Sequence, residues 1–207
     1  GILLLDCFTP FIPGDVANAT TYCFPVRFQK VEGLTTRRAL GKDRTAFELL
    51  HTAAEELVSQ GVRAITGDCG FLAIHQRSLA AVLDVPVFLS SLLQIPFIFS
   101  ILGRDQKVGI ITADSKSLDE TLLEAVGISS GERLVIRGME DRENFSKAVI
   151  EETGLLDSDK VKREAVSVAS EMVENEQKIR ALLLECSCLP PYASAIQKAV
   201  ELPVFDY

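Results

Sequence analysis

The sequence predicts an α/β fold made of two similar subdomains, each a mainly parallel sheet flanked by helices, with the functional site in the cleft between them. Three observations predict it. First, residues 1–5 (Gly-Ile-Leu-Leu-Leu) and 108–111 (Val-Gly-Ile-Ile) are short, continuous apolar runs, the pattern of parallel strands covered on both faces. Second, strand-like and helix-like stretches alternate along the whole chain, which implies right-handed crossovers and parallel pairing. Third, the chain repeats itself. Ile65-Thr66-Gly67-Asp68-Cys69 and Leu182-Leu183-Leu184-Glu185-Cys186 each end an apolar run with an acid and a cysteine. Each cysteine is followed at the same interval by a second short strand, Val85-Pro86-Val87-Phe88 and Leu202-Pro203-Val204-Phe205.

In chain order, 1–5 is the first strand. Helical spacing of Ala46, Leu49, Leu50, Ala53, Ala54, Leu57 and Val58 predicts a helix over 45–60, with Asp43 near its start and Gly61 past its end. Residues 62–66 form the next strand, and a helix over about 71–83 buries Leu72, Leu79, Val82 and Leu83. Residues 85–103 carry no formal charge, a length that prompts a membrane reading. Pro86, Pro96 and four polar residues favour a buried strand and helix instead. A short polar break at 103–105 divides an N-terminal subdomain, 1–103, from a C-terminal one, 104–201. In the second half, 108–111 is a strand, 118–126 a helix closed by Gly127, and 133–137 a strand. Residues 158–175 form a long amphipathic helix, 179–184 a strand, and Pro190-Pro191 opens a helix where a missing N–H costs nothing. The strand in 202–207 is expected to pair back into the first half.

The chain has 207 residues, 47% of them hydrophobic, and a net charge of −8. That size and composition suit a globular protein with a substantial core. The absence of a basic excess argues against nucleic acid as a partner. The five cysteines, Cys7, Cys23, Cys69, Cys186 and Cys188, are odd in number, and no secretory signal is visible. Reduced thiols in the cytoplasm are the expected state. Cys186 and Cys188 form a Cys-x-Cys pair, but no second pair or nearby His supports a metal site.

Ligands in such sheets bind beyond the carboxyl ends of the strands. Cys69 and Cys186 fall there, as do Asp6, Cys7 and Thr112. Two thiols on opposite sides of one carbon could take a proton from one face and return it from the other. A thiol at a helix start is more readily ionised, whereas Asp68 and Glu185 would oppose ionisation unless they turn away to cap the turn. Thr112 could bind a substrate oxygen or simply start the following helix. His51 is expected at a surface and His75 partly exposed.

Three segments carry a family resemblance: 13–20 (Pro-Gly-Asp-Val-Ala-Asn-Ala-Thr), 68–72 (Asp-Cys-Gly-Phe-Leu) and 185–193 (Glu-Cys-Ser-Cys-Leu-Pro-Pro-Tyr-Ala). With them the whole chain resembles the aspartate/glutamate racemase superfamily. The resemblance implies two related subdomains, no cofactor, and Cys69 and Cys186 as the catalytic acid and base. It implies that Asp6 matches the acid after the first strand and that Gly70, Phe71 and Ser187 occupy the places that hold the substrate carboxylate. Asn18 and Thr112 are further residues expected to position the substrate. Glutamate racemases carry Asn-Thr and Thr-His after their two cysteines, where this chain has Gly70-Phe71 and Ser187-Cys188. The expected activity is a cofactor-independent racemase or epimerase acting on an amino acid. Hydantoin racemase, maleate cis–trans isomerase and a non-catalytic carboxylate-binding relative are the alternatives. Arylmalonate decarboxylases resemble the same fold with a single cysteine. The expected partners are a small carboxylate and a second copy of the chain in a dimer, with no nucleic acid, membrane or metal.

Overall fold

Eight strands build two four-stranded sheets in the computed structural model, which describes residues 1–207. The strands are β1 (Ile2–Leu4), β2 (Phe28–Lys30), β3 (Ile65–Gly67), β4 (Val87–Phe88), β5 (Lys107–Thr112), β6 (Leu134–Gly138), β7 (Ile179–Leu184) and β8 (Val204–Phe205). Every pairing is parallel. The first sheet runs β2-β1-β3-β4 and the second β6-β5-β7-β8, so the strand order repeats from one half to the other. The helices are α1 (Thr36–Leu40), α2 (Phe47–Ser59), α3 (Gln76–Val82), α4 (Ile95–Ile101), α5 (Glu120–Ala125), α6 (Glu143–Phe145), α7 (Ser158–Asn175) and α8 (Ala193–Val200).

The long elements form where the sequence pattern demands them. In α2, Leu50, Ala53, Ala54 and Leu57 are buried at helical spacing. Asp43 accepts from the Thr45 amide at the preceding turn, and Gly61 takes φ +86 just beyond the end. The Asp157 side chain caps α7 by accepting from Lys160 N, and Val161, Ala165, Val168, Ala169 and Met172 face inward.

Three expectations need correction. The strand near residue 204 does not return to the first half. It extends the second sheet, with Leu182 opposite Val204 and Leu183 opposite Phe205. The helix expected over 71–83 is a 3₁₀ stretch, Gly70–His75, followed by α3. That tighter winding lets Gln76 stay buried and hold the neighbouring strand, donating to Val87 O at 2.8 Å and accepting from Leu89 N at 2.9 Å. His75 is buried against the Phe47 ring, and burial lowers its pKa. The uncharged stretch 85–103 does hold the expected strand and helix, β4 and α4, joined by a 3₁₀ turn, and no helix in the protein is long and apolar enough to cross a membrane.

Packing crosses the break at 103–105. The larger core joins Leu92, Ile95 and Ile98, together with Phe71 and Ala73, to β5, β7, α7 and α8. The smaller core lies between β1, β3 and α2. The turn after β3 therefore rests on the second core, which brings its cysteine toward the other sheet.

Candidate functional site

The site is assembled at the carboxyl ends of the four central strands. β1 leads to Leu5 and Cys7, β3 to Asp68 and Cys69, β5 to Thr112 and Ala113, and β7 to Glu185 and Cys186. The two acids do matching work. Asp68 accepts from the Leu5 amide through both carboxyl oxygens, at 3.0 and 3.1 Å, and so closes the end of β1 against β3. Glu185 accepts from the Thr112 hydroxyl at 2.6 Å through Oε2, and so closes β5 against β7. The acids thus turn back into the fold to satisfy strand-end donors that would otherwise be buried without partners.

The two cysteine turns are also strapped to each other. The Ser187 hydroxyl donates to the Asp68 carbonyl. Gly70 lies so close to Glu185 that a Cβ there would overlap its Oε1 and stand 2.5 Å from its carbonyl oxygen. Glycine is required at 70 by close approach of backbone, not by an unusual φ.

Between the turns lies a cavity of about 40 Å³, room for about three water molecules. Cys69, Gly70 and Phe71 line it from one half and Glu185, Cys186, Ser187 and Cys188 from the other. The remaining walls are chiefly apolar and include Leu5, Phe11, Leu40, Ala113, Val149 and Ile150. Val149 and Ile150 belong to a π-helical turn, Ser146–Ile150, a local distortion common at functional sites. The Phe8 amide donates to Glu152 Oε2 at 3.1 Å, so the loop after β1 and the segment after that turn meet over the cavity.

Burial dominates the electrostatics. It pushes the Asp68 carboxyl up to about 8 and Glu185 up to about 7. Cys69 is raised well above an ordinary thiol, first by burial and then by Glu185 and Asp68, although its sulfur accepts from the Phe71 amide. Cys69 is therefore held as a neutral thiol. Cys188 is also raised, chiefly by its neighbour Cys186, with burial and Asp15 adding to the effect. Asp15, buried and raised to about 6 by that burial, stands beside Cys188.

The fold gathers Cys69, Gly70, Phe71, Cys186 and Ser187 around one cavity, and Thr112 reaches it through Glu185. Asp6 and Asn18 are not brought there. Asp6 is an ion-pair partner of Lys30 at 3.0 Å and accepts from Gly33 N, because β2 runs beside β1 and presents Lys30 at its end. Asn18 is consumed by its own loop, accepting from Thr20 N and donating to Phe11 O, each at 2.8 Å. Sequence reasoning missed Asp15, whose signal lay in Pro13-Gly14-Asp15: Gly14 takes φ +100 and packs on Pro191 near the second cysteine.

No family model matches the chain. Curated relatives do. Dimethylsulfoniopropionate lyase 3 of Emiliania huxleyi is 33% identical over the whole chain, which spans 56% of that relative's length. The dimethylsulfoniopropionate lyase of Durusdinium sp. clade D is 32% identical over the whole chain and 70% of its own length. Among solved structures, a glycine-to-cysteine mutant of arylmalonate decarboxylase aligns with TM-score 0.62 at 16% identity, covering 99% of this chain and 86% of the other. An aspartate racemase homologue from Pyrococcus horikoshii aligns with TM-score 0.57 at 16% identity, covering 99% and 92%. The fold is that of the aspartate/glutamate racemase-like superfamily. The expectation of a racemase or other isomerase is overturned, because the curated relatives that match the full chain are lyases by name.

Proposed function

Because the chain belongs to the dimethylsulfoniopropionate lyase family, we propose that it breaks the carbon–sulfur bond of dimethylsulfoniopropionate by elimination, with Cys186 as the base. The observation that carries this reading is the cavity that places Cys186 opposite Cys69 between apolar walls. Cys186, acting as the base, takes the proton on the carbon next to the substrate carboxylate. The electron pair left on that carbon forms the new double bond, the adjacent carbon–sulfur bond breaks, and its pair leaves on sulfur. The products are acrylate and neutral dimethyl sulfide.

The chemistry accounts for an uneven pair of thiols. A racemase needs a donor on the face opposite its base, whereas a sulfonium leaves as a neutral sulfide and needs no acid. Cys69, kept protonated first by burial and then by Glu185 and Asp68, fits a wall residue better than a second base. The apolar lining suits the sulfonium methyl groups and keeps water from the carbanion-like transition state. The cavity is tight for such a substrate, so Val149, Ile150 and the loop carrying Phe11 must yield as it enters.

The test is direct. Purified protein is incubated with dimethylsulfoniopropionate, the headspace is assayed for dimethyl sulfide by gas chromatography, and acrylate is measured in solution. Equal amounts of the two products are expected. Folded protein that releases neither would end the lyase reading.

A further inference from the structure

A cavity of about 40 Å³ admits a ligand of more than a few atoms only if one of its walls moves. The inner walls are fixed. The Leu5 amide donates to Asp68, the Thr112 hydroxyl to Glu185 and the Ser187 hydroxyl to the Asp68 carbonyl, all in the buried interior. The outer wall is built differently. The loop after β1 supplies Cys7, Thr9 and Phe11, and the segment leading to α7 supplies Val149 and Ile150. These pieces come from opposite halves of the chain. One hydrogen bond joins them, from the Phe8 amide to Glu152 Oε2 at 3.1 Å, and it lies at an exposed position. The Phe8 ring is 70% exposed, yet it sits so close over Gly154 that a Cβ there would stand 2.4 Å from its Cε1.

The segment that makes this contact is held out of regular conformation. Residues Ser146–Ile150 wind as a π-helical turn. Two residues further on, Glu152 takes φ +53, a left-handed backbone that a residue with a side chain keeps only when its surroundings hold it there. Gly154 follows with φ +76, which glycine adopts freely. The strained residue is thus the same one whose carboxylate accepts from Phe8, and losing that bond frees its backbone to relax. A strained segment tied down by a single solvent-exposed hydrogen bond is the part of this wall that opens most easily.

We propose that residues 146–154 are a flap over the cavity and that the contact of Phe8 with Glu152 and Gly154 is its latch. With the latch closed, Val149 and Ile150 seal the apolar side of the cavity and keep water from it. With the latch released, Glu152 relaxes from its left-handed backbone, the π-helical turn carries Val149 and Ile150 outward, and a small ligand reaches the cysteine turns. Closure then restores the dry surroundings in which the site's groups act. The latch governs entry for any ligand and so stands apart from the lyase reading.

Access to the cavity is read by iodoacetamide. The folded protein is pulsed with the reagent at a fixed pH, and the rate of alkylation at each cysteine is measured by peptide mass spectrometry. Cys186 and Cys188 line the cavity, and Cys23, exposed and outside it, is the reference. Glu152→Gly removes the acceptor and the backbone strain together. It should raise the rates at Cys186 and Cys188, relative to Cys23, by about threefold to tenfold. Glu152→Gln keeps an oxygen that accepts from Phe8 N and should react at the unaltered rate. Gly154→Ala pushes the Phe8 ring away while leaving both hydrogen-bonding groups in place, and it should behave like Glu152→Gly. Melting curves confirm that each variant is folded at the labelling temperature. Unchanged rates in Glu152→Gly, or equal rises in Glu152→Gly and Glu152→Gln, would overturn the latch. A rise in Glu152→Gly with none in Gly154→Ala would overturn it too, because the freedom of the added glycine would then account for the effect. None of these readings uses dimethyl sulfide release, so the latch fails or stands separately from the lyase reading.

Discussion

Gly70→Ala tests whether the two halves meet as closely as the site requires. A methyl group at 70 would overlap Glu185 Oε1 and stand 2.5 Å from the Glu185 carbonyl oxygen and 2.6 Å from its carboxyl carbon. The side-chain clash alone could be relieved by rotating Glu185, but that breaks its bond from the Thr112 hydroxyl. The carbonyl is backbone, so relieving that contact moves the turn after β7 itself. Overpacking of this kind costs about 1–3 kcal/mol, and a lost hydrogen bond to a buried acid about 1–3 kcal/mol more. A net loss of about 3 kcal/mol lowers the melting temperature of a chain this long by about 6–12 °C. Thermal unfolding followed by circular dichroism reads the effect. A melting temperature within about 1 °C of the unaltered protein would show that Gly70 and Glu185 are not in contact, and the assembled site would have to be redrawn.

Other perturbations separate the roles of the neighbouring groups. Asp68 and Glu185 hold their protons in the folded state to about 8 and about 7, against ordinary values near 4. The folded protein thus binds more protons than the unfolded chain across that window, and stability falls as pH rises from about 5 to 8. Asp68→Asn should flatten that fall in melting temperature, and an unchanged slope would show that Asp68 is not a carrier of the proton. Thr112→Val leaves Glu185 Oε2 without its hydroxyl donor and should cost about 1–3 kcal/mol, read as a lower urea midpoint; an unchanged midpoint would mean that the bond contributes nothing. Cys186→Ala should lower dimethyl sulfide release by at least about a hundredfold, while Cys69→Ser, which keeps a neutral hydroxyl in the wall, should retain most of it. The opposite ranking would move the base to Cys69.

Much of the fold was legible because it is written in long patterns. The helix 158–175 and the strand 179–184 stand where the periodicity puts them, since each buries a full face or both faces. The duplicated acid-cysteine turns were legible for the same reason, and they do share a cavity. Short elements fixed by tertiary contacts were not. β2 is Phe28-Gln29-Lys30, with no apolar run to announce it, and its placement beside β1 is what draws Asp6 away into an ion pair. Asn18 looked available because a loop sequence does not reveal that its amide is spent on the loop. The rotamers of Asp68 and Glu185 were open for a similar reason: the donors that claim them, Leu5 N and the Thr112 hydroxyl, come from strands far away in sequence.

The reaction itself was the least legible feature, and the cause is chemical. Racemisation and elimination at this kind of substrate begin alike, with loss of the proton beside a carboxylate, and so they call for the same thiol and the same stabilised carboxylate. What separates them is the next atom along: a proton returned from the opposite face, or a sulfide expelled from the neighbouring carbon. On the lyase reading, the two choices differ at this site in its electrostatics. Burial together with Glu185 and Asp68 disables Cys69 as a thiolate, whereas the second turn sets Cys188, with Asp15 beside it, next to Cys186. A pair of thiols meant to exchange roles for mirror-image substrates would need matched surroundings, and these are not matched. Relieving the asymmetry by Glu185→Gln would therefore leave Cys69 more easily ionised, and its rate of alkylation by iodoacetamide at pH 8 should rise relative to the unaltered protein. An unchanged rate would mean that burial alone silences Cys69, and the acids would lose their part in making the site one-sided.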